Sequence, residues 1–296
     1  MIEQHPSSQA PSQRTLVLGL LAAWAAFVIG VWQLIGNEGL FPSVFAEHGI
    51  FKALLYWVIL THITITAMSL SFHRMHTHRG VVFHRAVDGA FQLWLWLTTS
   101  MCKLDWVSVH VYHHAHSDDV LDPHSPYQKG LGRVFLLGAL DYTRAKQNPE
   151  VLKIRNKLKE TRFEAFLSRN ILLGPVIMIV LYTLAFGPWT GLGLSLMTFA
   201  TSPIFAVGGV NAIAHAWGYR NYKTKDQSRN IGFLFPLNWM ICGELDHNNH
   251  HPHPKSCSFR HRWYEFDVGY AYIWALEKMG LAQVKVRAPK VEKLAA

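Results

Sequence analysis

Two short stretches with the same histidine spacing constrain this chain more than any other feature of its sequence. Histidines stand at positions i, i+3 and i+4 within residues 243–251, and the same spacing recurs within residues 106–114. Side chains at this spacing fall on one face of an α-helix. Each stretch therefore predicts a helical face able to bind a metal, and two such faces indicate two metal ions or one shared cluster. The histidines are His110, His113, His114, His247, His250 and His251.

Hydropathy decides the fold class. Hydrophobic residues make up 50% of the 296 residues and charged residues only 16%, against roughly 25% charged residues in an ordinary soluble domain. Apolar runs cover about 15–36, 51–72, 170–186 and 190–217. Helices of this length can cross a hydrocarbon core of about 30 Å. The sequence therefore predicts an all-α integral membrane protein with four transmembrane helices.

The segments outside these runs predict one domain with short tails. Residues 1–14 are a polar N-terminal tail, residues 15–286 form the domain, and residues 287–296 are a C-terminal tail. Segments 73–169 and 218–286 are rich in Lys and Arg. By the positive-inside rule, we expect these two segments to form a cytoplasmic helical cap, with both termini on the same side of the membrane.

The net charge of +9 comes from Lys and Arg residues between the apolar runs and at their ends. This distribution fits a membrane protein and does not predict a nucleic-acid partner. The densest cationic cluster is either a solvated helix face or a site for an anionic head group or carrier. The cluster comprises Arg144, Lys146, Lys153, Arg155, Lys157, Lys159 and Arg162.

Further polar residues extend the candidate metal site. His73 and His78 follow the second apolar run at spacing i, i+5, which suits a helix end where the backbone can turn both side chains inward. Asn211 and His215 stand at i, i+4 in the fourth run. Nine imidazoles are more than one tetrahedral zinc ion can bind, since it takes about four ligands. They suit iron with open positions for oxygen, although affinity order alone leaves zinc and copper possible.

These motifs resemble the histidine boxes of the membrane fatty acid desaturases, most closely the stearoyl-CoA (Δ9) type and its bacterial relatives. The resemblance covers roughly Phe51 to Val286. It implies two non-haem iron ions, with O2 as co-substrate, on the cytoplasmic side of a four-helix membrane domain. The iron ligands that it implies are His73, His78, His110, His113, His114, His215, His247, His250 and His251, with Asn211 holding a ligand water.

The resemblance also implies a reaction and partners. An oxidoreductase of this kind introduces a cis double bond, here expected at Δ9, into a long acyl chain carried on CoA, acyl carrier protein or a lipid. A separate ferredoxin, rubredoxin or cytochrome b5 with its reductase supplies electrons, and the cationic cluster is a candidate docking surface for it. The alternatives are a sibling hydroxylase, a decarboxylase that forms terminal alkenes, and a non-enzymatic metal-handling membrane protein. The expected location is a bacterial inner membrane, or the endoplasmic reticulum membrane in a eukaryote.

Several residues are candidates for the wall of an acyl channel. Trp106 matches a family tryptophan that lines this channel. Trp94, Trp96 and Phe91 are either channel walls or interfacial anchors. Val207 stands where the family usually has a bulkier pair of residues, near the expected bend of the substrate.

Three polar residues are expected to support the metal ligands. Asp122 and His124 belong to an Asp-Pro-His motif that resembles a family position, and His124 is a candidate either for ligand support or for head-group binding. Asp246 lies beside His247. We expect Asp246 to orient a ligand imidazole through a hydrogen bond, or else to alter the outcome of the reaction.

Overall fold

The computed structural model describes residues 45–232, 234 and 236–289. The first predicted span, at 15–36, the N-terminal tail and the end of the C-terminal tail lie outside the described residues. The helices are α1 (Phe45–Ala67), π1 (Met68–Thr77), α2 (Arg85–Thr99), α3 (Lys103–His116), α4 (Pro126–Lys129), α5 (Leu131–Ala145), α6 (Pro149–Arg155), α7 (Arg162–Arg169), α8 (Leu173–Phe186), α9 (Pro188–Ser202), π2 (Pro203–Ile213), α10 (Ala214–Ala216), α11 (Leu237–Met240), α12 (His247–His250) and α13 (Val268–Lys278). The strands are β1 (Val81–Phe83) and β2 (Ala282–Val284).

The prediction of an all-α fold is wrong in one detail, because β1 and β2 form a small antiparallel sheet. Val82 pairs with Gln283 at its centre. Val81 and Phe83 are buried while Val82 is 42% exposed, which is the alternation that a strand produces. Three residues carry too little periodicity for a sequence pattern to reveal such a strand.

Candidate membrane spans are fewer than the sequence predicts. Within the described residues, one continuous helical segment, Leu54–Thr77, is long and apolar enough to cross a membrane. The pair α7 and α8 passes the same test together, with a bend of 83° between the two helices. The fourth predicted run is divided among α9, π2 and α10. The number of spans therefore stays a prediction.

A shared apolar core joins α1, α8 and α9. Leu60, Met178, Tyr182 and Leu194 are buried against one another. Gly191 permits the close contact of α8 with α9, since a Cβ atom at this position would lie 2.4 Å from backbone atoms of Thr183. This core packs α8 and α9 against α1.

A buried ion pair joins π1 to the segment just before α13. The Arg74 guanidinium donates to both carboxylate oxygens of Asp267 at 2.9 Å. It also donates to the backbone carbonyls of Cys242 and Cys257 at 2.6 and 2.8 Å, and it stacks over the Phe259 ring at 3.9 Å. Arg74 follows His73 directly, so this one side chain connects three positions of the C-terminal part of the chain to the helix that carries the first histidine motif.

Candidate metal centre

The structure brings the nine predicted histidines into two groups. Within each group, one ring nitrogen of every residue lies within 4.8 Å of those of the others. The five-histidine group is His73, His78, His110, His114 and His250. The four-histidine group is His113, His215, His247 and His251. Each group has the size and the donor type of a site for one metal ion.

Each of the two repeated motifs contributes to both groups. On α3, His110 and His114 belong to the five-histidine group, whereas His113 belongs to the four-histidine group. At the other motif, His250 belongs to the five-histidine group, whereas His247 and His251 belong to the four-histidine group. Residues at i and i+4 lie above one another on a helix, while i+3 lies to the side. The two groups are therefore neighbours that share α3 and α12.

A change of helix type brings His73 and His78 together. A π-helix bonds residue i to residue i+5, and the His78 backbone N–H accordingly donates to the carbonyl of His73 at 3.1 Å. Their ring centroids are 4.9 Å apart. In an α-helix this spacing would turn the two rings to different faces. The two rings therefore meet because this segment is a π-helix, and not only because an α-helix ends there.

The ring nitrogens approach one another at the distances expected around a metal ion. His250 Nε2 lies 2.9 Å from Nε2 of both His73 and His114, and Nε2 of His247 lies 3.0 Å from Nε2 of His251. Two nitrogens that coordinate one ion at about 2.1 Å, with about 90° between the bonds, stand about 3.0 Å apart. These distances fit nitrogens that share an ion.

Buried nitrogens without a partner support the same interpretation. Nε2 of His78, His113 and His215 is buried and has no hydrogen-bond partner among the described residues. An unsatisfied buried polar group costs about 1–3 kcal/mol. Coordination to a metal ion would remove that cost, so the donor set fits a bound metal.

Burial keeps most of these rings in the form that binds metal. Desolvation, followed by the neighbouring imidazoles, lowers the pKa of His110, His114, His247 and His250 well below the usual value. A metal ligand must be the neutral imidazole. The protein therefore favours the ligand form of these four rings at neutral pH.

Four carboxylates each contact the Nδ1 atom of a different predicted ligand histidine. Such a contact fixes the ring orientation, leaves Nε2 free for a metal and makes the ligand more basic. Measured from Nδ1 to a carboxylate oxygen, the pairs are His73 with Glu244 (2.9 Å), His113 with Asp122 (2.9 Å), His215 with Asp118 (2.8 Å) and His251 with Asp226 (3.1 Å). The carboxylates therefore orient one ring of the five-histidine group and three of the other.

Of these carboxylates, the sequence analysis singled out Asp122 alone. Glu244 stands three positions before His247 and Asp118 four positions after His114, so their closeness to the motifs is a signal that could have found them. Asp226 lies 25 positions from the histidine that it contacts, in a loop without any motif. Only the tertiary structure identifies it.

Asp118 also connects three loops around the site. Its carboxylate accepts hydrogen bonds from the Ser125 hydroxyl at 2.8 Å and from the Gln227 backbone at 2.7 Å, in addition to His215. Its backbone N–H donates to Asp122 at 2.8 Å. Asp118 adopts a φ of 63°, a conformation that Asn and Asp tolerate better than other residues with a side chain.

Replacing Asp118 by asparagine tests this role. Asn tolerates the same backbone conformation and has nearly the same shape, so Asp118→Asn removes mainly the charge. We expect the affinity of the four-histidine group for metal to fall about 10- to 100-fold, measured by chelator competition. Asp119→Asn is the matched control, because Asp119 contacts only the partly exposed His116 ring and backbone of its own loop. Equal affinities in the two variants would contradict the assignment.

The expected contact of Asp246 with an imidazole is not made. Its Oδ2 accepts a hydrogen bond from the Asn238 side chain at 3.0 Å, and its Oδ1 touches Gly232, where an added Cβ would lie 2.1 Å away. Nδ1 of His247 has no partner among the described residues. Burial, reinforced by Glu265, raises the pKa of the Asp246 carboxyl well above its usual value. The Asp246 side chain therefore packs beneath α12, away from the rings.

His124 lies at the edge of the four-histidine group. Its ring centroid is 5.8 Å from that of His113, and its backbone N–H donates to Asp122 at 2.8 Å. Burial and the neighbouring His113 lower the pKa of His124 to about 3. Its neutral ring stacks near Tyr142 and borders the cavity described next, which places it beside the predicted ligands.

A largely apolar cavity borders both groups. His73 and His110 of one group and His247 of the other form its polar end, together with Asn211 and Glu244. The apolar wall includes Ile65, Met68, Met101, Trp106, Val109 and Val210. Trp106 and Asn211 therefore lie where the sequence analysis expected them, next to the histidines.

Three of the predicted channel residues do not line this cavity. The Trp94 indole donates to Thr64 at 3.0 Å, and the Trp96 indole donates to the Asn170 carbonyl at 3.1 Å. The Phe91 ring packs edge-on against Phe83 at 5.8 Å. All three side chains fill contacts between α2 and its neighbours, because α2 presents its aromatic residues to helices and to β1 rather than to the cavity.

The remaining channel candidate, Val207, lies in π2, and its side chain falls outside the described residues. The adjacent Gly208 is a close-contact position. A Cβ atom there would lie 2.9 Å from the carbonyl oxygen of Phe135. The small residue therefore allows α5 to cross π2 near the cavity.

Comparisons with known proteins agree with this architecture. Residues 51–285 match the family model for fatty acid desaturases. The chain is 29% identical to the Delta-9 desaturase-like 2 protein of Arabidopsis thaliana, over 89% of this chain and 86% of that protein. It is 30% identical to Delta-9 acyl-lipid desaturase 2 of the same plant, over 78% and 74% of the two chains. It is also 28% identical to a hex-5-enoyl-[acyl-carrier protein] acetylenase of Moorena producens, over 81% and 82%. This chain therefore belongs to the fatty acid desaturase family, near its Δ9 type, and is an oxidoreductase.

Proposed function

We propose that this protein is an O2-dependent acyl desaturase that binds two iron ions, one in each histidine group. The observation that carries the proposal is an apolar cavity that is bordered by histidines of both groups. Donors that are all neutral nitrogen suit iron with open coordination positions. When bound, such iron supplies the activation of O2, and the protein supplies binding and orientation.

The cavity determines which part of a substrate meets the metal centre. Each buried methylene contributes about 0.8 kcal/mol to binding, so the apolar wall can hold a saturated chain without polar contacts. The Trp106 ring stacks on His110 with centroids 4.6 Å apart. The wall of the channel therefore continues directly into a predicted ligand, and a methylene beside Trp106 would lie next to the metal.

Asn211 and Glu244 complete the polar end of the cavity. We propose that Asn211 holds a water that completes the coordination of the ion in the four-histidine group, since it borders the cavity together with His247. The Glu244 carboxylate accepts a hydrogen bond from Nδ1 of His73. This contact keeps Nε2 of His73 directed at the neighbouring imidazoles. These residues position ligands and water, while the apolar wall excludes bulk solvent.

The remaining parts of the proposal rest on the relatives and on the charge pattern. Relatives named for the Δ9 position support a cis double bond at Δ9 in a long chain. The names of two relatives include acyl lipid and acyl carrier protein, and these two carriers and CoA are the proposed ones. We propose four spans and a cytoplasmic cap within a single domain at 15–286, in a bacterial inner membrane. Asp246, which left hydroxylation and decarboxylation open, is turned away from the cavity and favours neither.

Fatty acid analysis of a host without its own desaturase tests the function. We expect a new cis monoene, with its double bond located by derivatisation and mass spectrometry, only when the intact chain is expressed in aerated cells with an electron donor. His113→Ala should abolish the product because it removes a predicted ligand. His116→Ala is the matched control, since His116 lies on the same helix outside both groups, and it should retain the product.

Other product profiles would redirect the proposal. Hydroxy acids or terminal alkenes would assign a sibling reaction to the same site. A triple bond would place this chain with the acetylenase relative. An unchanged profile from well-expressed, metal-loaded protein would contradict desaturation and favour metal handling.

A further inference from the structure

The cationic cluster at 144–162 is not one free positive surface. Four of its members are paired with carboxylates of the same or neighbouring helices, which neutralises much of their charge. The pairs are Arg144 with Asp141, Lys146 and Arg155 with Asp105, and Lys153 with Glu150. Lys159 instead borders a groove whose other cations come from distant parts of the chain.

This basic groove opens where π1, β1, β2 and the start of α3 meet. None of its described lining residues is acidic. Of its cations, Arg79, Lys159 and Lys285 are exposed and form no ion pair within the part of the chain that the structure describes, and Lys103 pairs with Glu164. The lining residues are Met75, His76, Arg79, Val82, Lys103, Val107, Leu158, Lys159 and Lys285.

The groove lies close to the five-histidine group. Arg79 directly follows His78 in the chain. The backbone N–H of Lys285 donates to the carbonyl of Gly80 at 2.8 Å, so the β2 side of the groove is bonded to the same turn. The groove and the predicted ligand His78 therefore belong to the same turn, and His76, two positions before His78, also lines the groove.

The groove is separate from the acyl cavity. The two share no lining residue. On α3, Val107 borders the groove, whereas Trp106 and His110 border the cavity, because successive residues of a helix point in different directions. An acyl chain in the cavity therefore does not emerge into the groove, and the groove is free for another partner while substrate is bound.

The proposed reaction requires such a partner. This requirement rests on the proposed function. The reaction consumes one CH2–CH2 unit, one O2, two electrons and two protons, and it gives one cis CH=CH unit and two waters. Dioxygen is reduced, the acyl chain loses two hydrogens, and a donor outside the chain is oxidised by two electrons. That donor must approach the metal centre without occupying the acyl cavity.

We propose that the basic groove is the docking site of an acidic one-electron donor protein, which would reduce the iron that the five-histidine group would hold. Two successive one-electron deliveries supply each turnover. Charge complementarity raises association rates roughly 10- to 10³-fold and is screened by salt. Apolar lining residues of the groove, such as Met75, Val82 and Leu158, give the donor a contact that remains when the charges are screened.

Charge reversal at the groove tests this assignment, with an acidic plant-type ferredoxin as the probe. Lys159→Glu/Lys285→Glu changes two exposed residues that touch no histidine of either group. At low salt we expect weaker ferredoxin binding by surface plasmon resonance and a KM for ferredoxin raised on the order of 10-fold or more. The difference should nearly vanish at 0.5 M salt, where the Debye length is only about 4 Å. Turnover driven by reduced methyl viologen should be unchanged.

Lys153→Glu/Lys278→Glu is the matched control, since it makes the same charge change at exposed positions outside the groove. Wild-type protein that fails to bind ferredoxin at low salt, or equal effects of the two double variants, would overturn the docking site. A raised KM for the acyl substrate with methyl viologen would assign the groove to carrier phosphates instead. Because binding is measured without turnover, groove-dependent binding by a chain that makes no monoene would support docking while contradicting the proposed function.

Discussion

Removing two ligands from one histidine group is expected to remove one metal ion of two. His110→Ala/His114→Ala deletes two rings of the five-histidine group, and His247→Ala/His251→Ala deletes two rings of the four-histidine group. We expect each depleted group to lose its ion to a chelator, because losing even a partner that only supports a ligand costs about 10- to 100-fold in metal affinity, and each variant removes two ligands themselves. Each variant should retain about one iron per chain and lose measurable desaturation.

The two double variants are matched in chemistry and in spacing, so they separate the two proposed ions. Metal content by plasma mass spectrometry gives the stoichiometry, and Mössbauer spectra of ⁵⁷Fe-loaded protein should show a different residual iron in each variant. His116→Ala/His253→Ala, which leaves both groups complete, should keep two. Loss of both ions in both variants would indicate one shared cluster instead of two neighbouring sites.

Breaking the Arg74–Asp267 pair is expected to produce the largest loss of stability. Asp267→Ala leaves the guanidinium of Arg74 buried at 1% exposure without its carboxylate. Removing one partner of a buried pair costs about 3–5 kcal/mol. For a chain of 296 residues, that corresponds to a fall in Tm of roughly 5–8 °C, measured in detergent. The same change should loosen the segments around Cys242 and Cys257 that Arg74 also contacts.

Glu277→Ala is the control for this stability prediction. Glu277 pairs with Arg287, whose side chain is 58% exposed, and exposed pairs contribute about 0–1 kcal/mol. Its Tm should change by no more than a few degrees. A loss no larger for Asp267→Ala than for Glu277→Ala would mean that other contacts hold the C-terminal part of the chain in place, such as the hydrogen bond of His62 with Tyr272 at 2.7 Å.

Much of the candidate site follows from local spacing. Histidines at i, i+3 and i+4 must share a helical face, whatever the rest of the chain does. The motif order was sufficient for the family assignment, which the family model confirms over residues 51–285. The expected positions of Trp106 and Asn211 beside the histidines follow from the same local patterns, since both lie within or next to a motif.

Side chains that act across long sequence separations could not be predicted in this way. Asp226 reaches a histidine from a loop, and Asp246 turns towards Asn238 although it adjoins His247. The aromatic residues of α2 illustrate the same limit, because Trp94 and Trp96 find partners on other helices. The hydrophobic pattern of a strand or helix shows which face is apolar, but it does not show which other segment packs against that face.

By itself, the sequence determined the helical and membrane character, the nine histidines and the family of this protein, because hydropathy and residue spacing act over one or two helical turns. The tertiary structure alone decided how α3 and α12 divide their rings between two groups, which carboxylates hold those rings, and which cations remain unpaired around the groove. The physical reason is that hydrogen bonds and ion pairs have a reach of about 3–4 Å. Their partners are therefore chosen only when distant segments pack together.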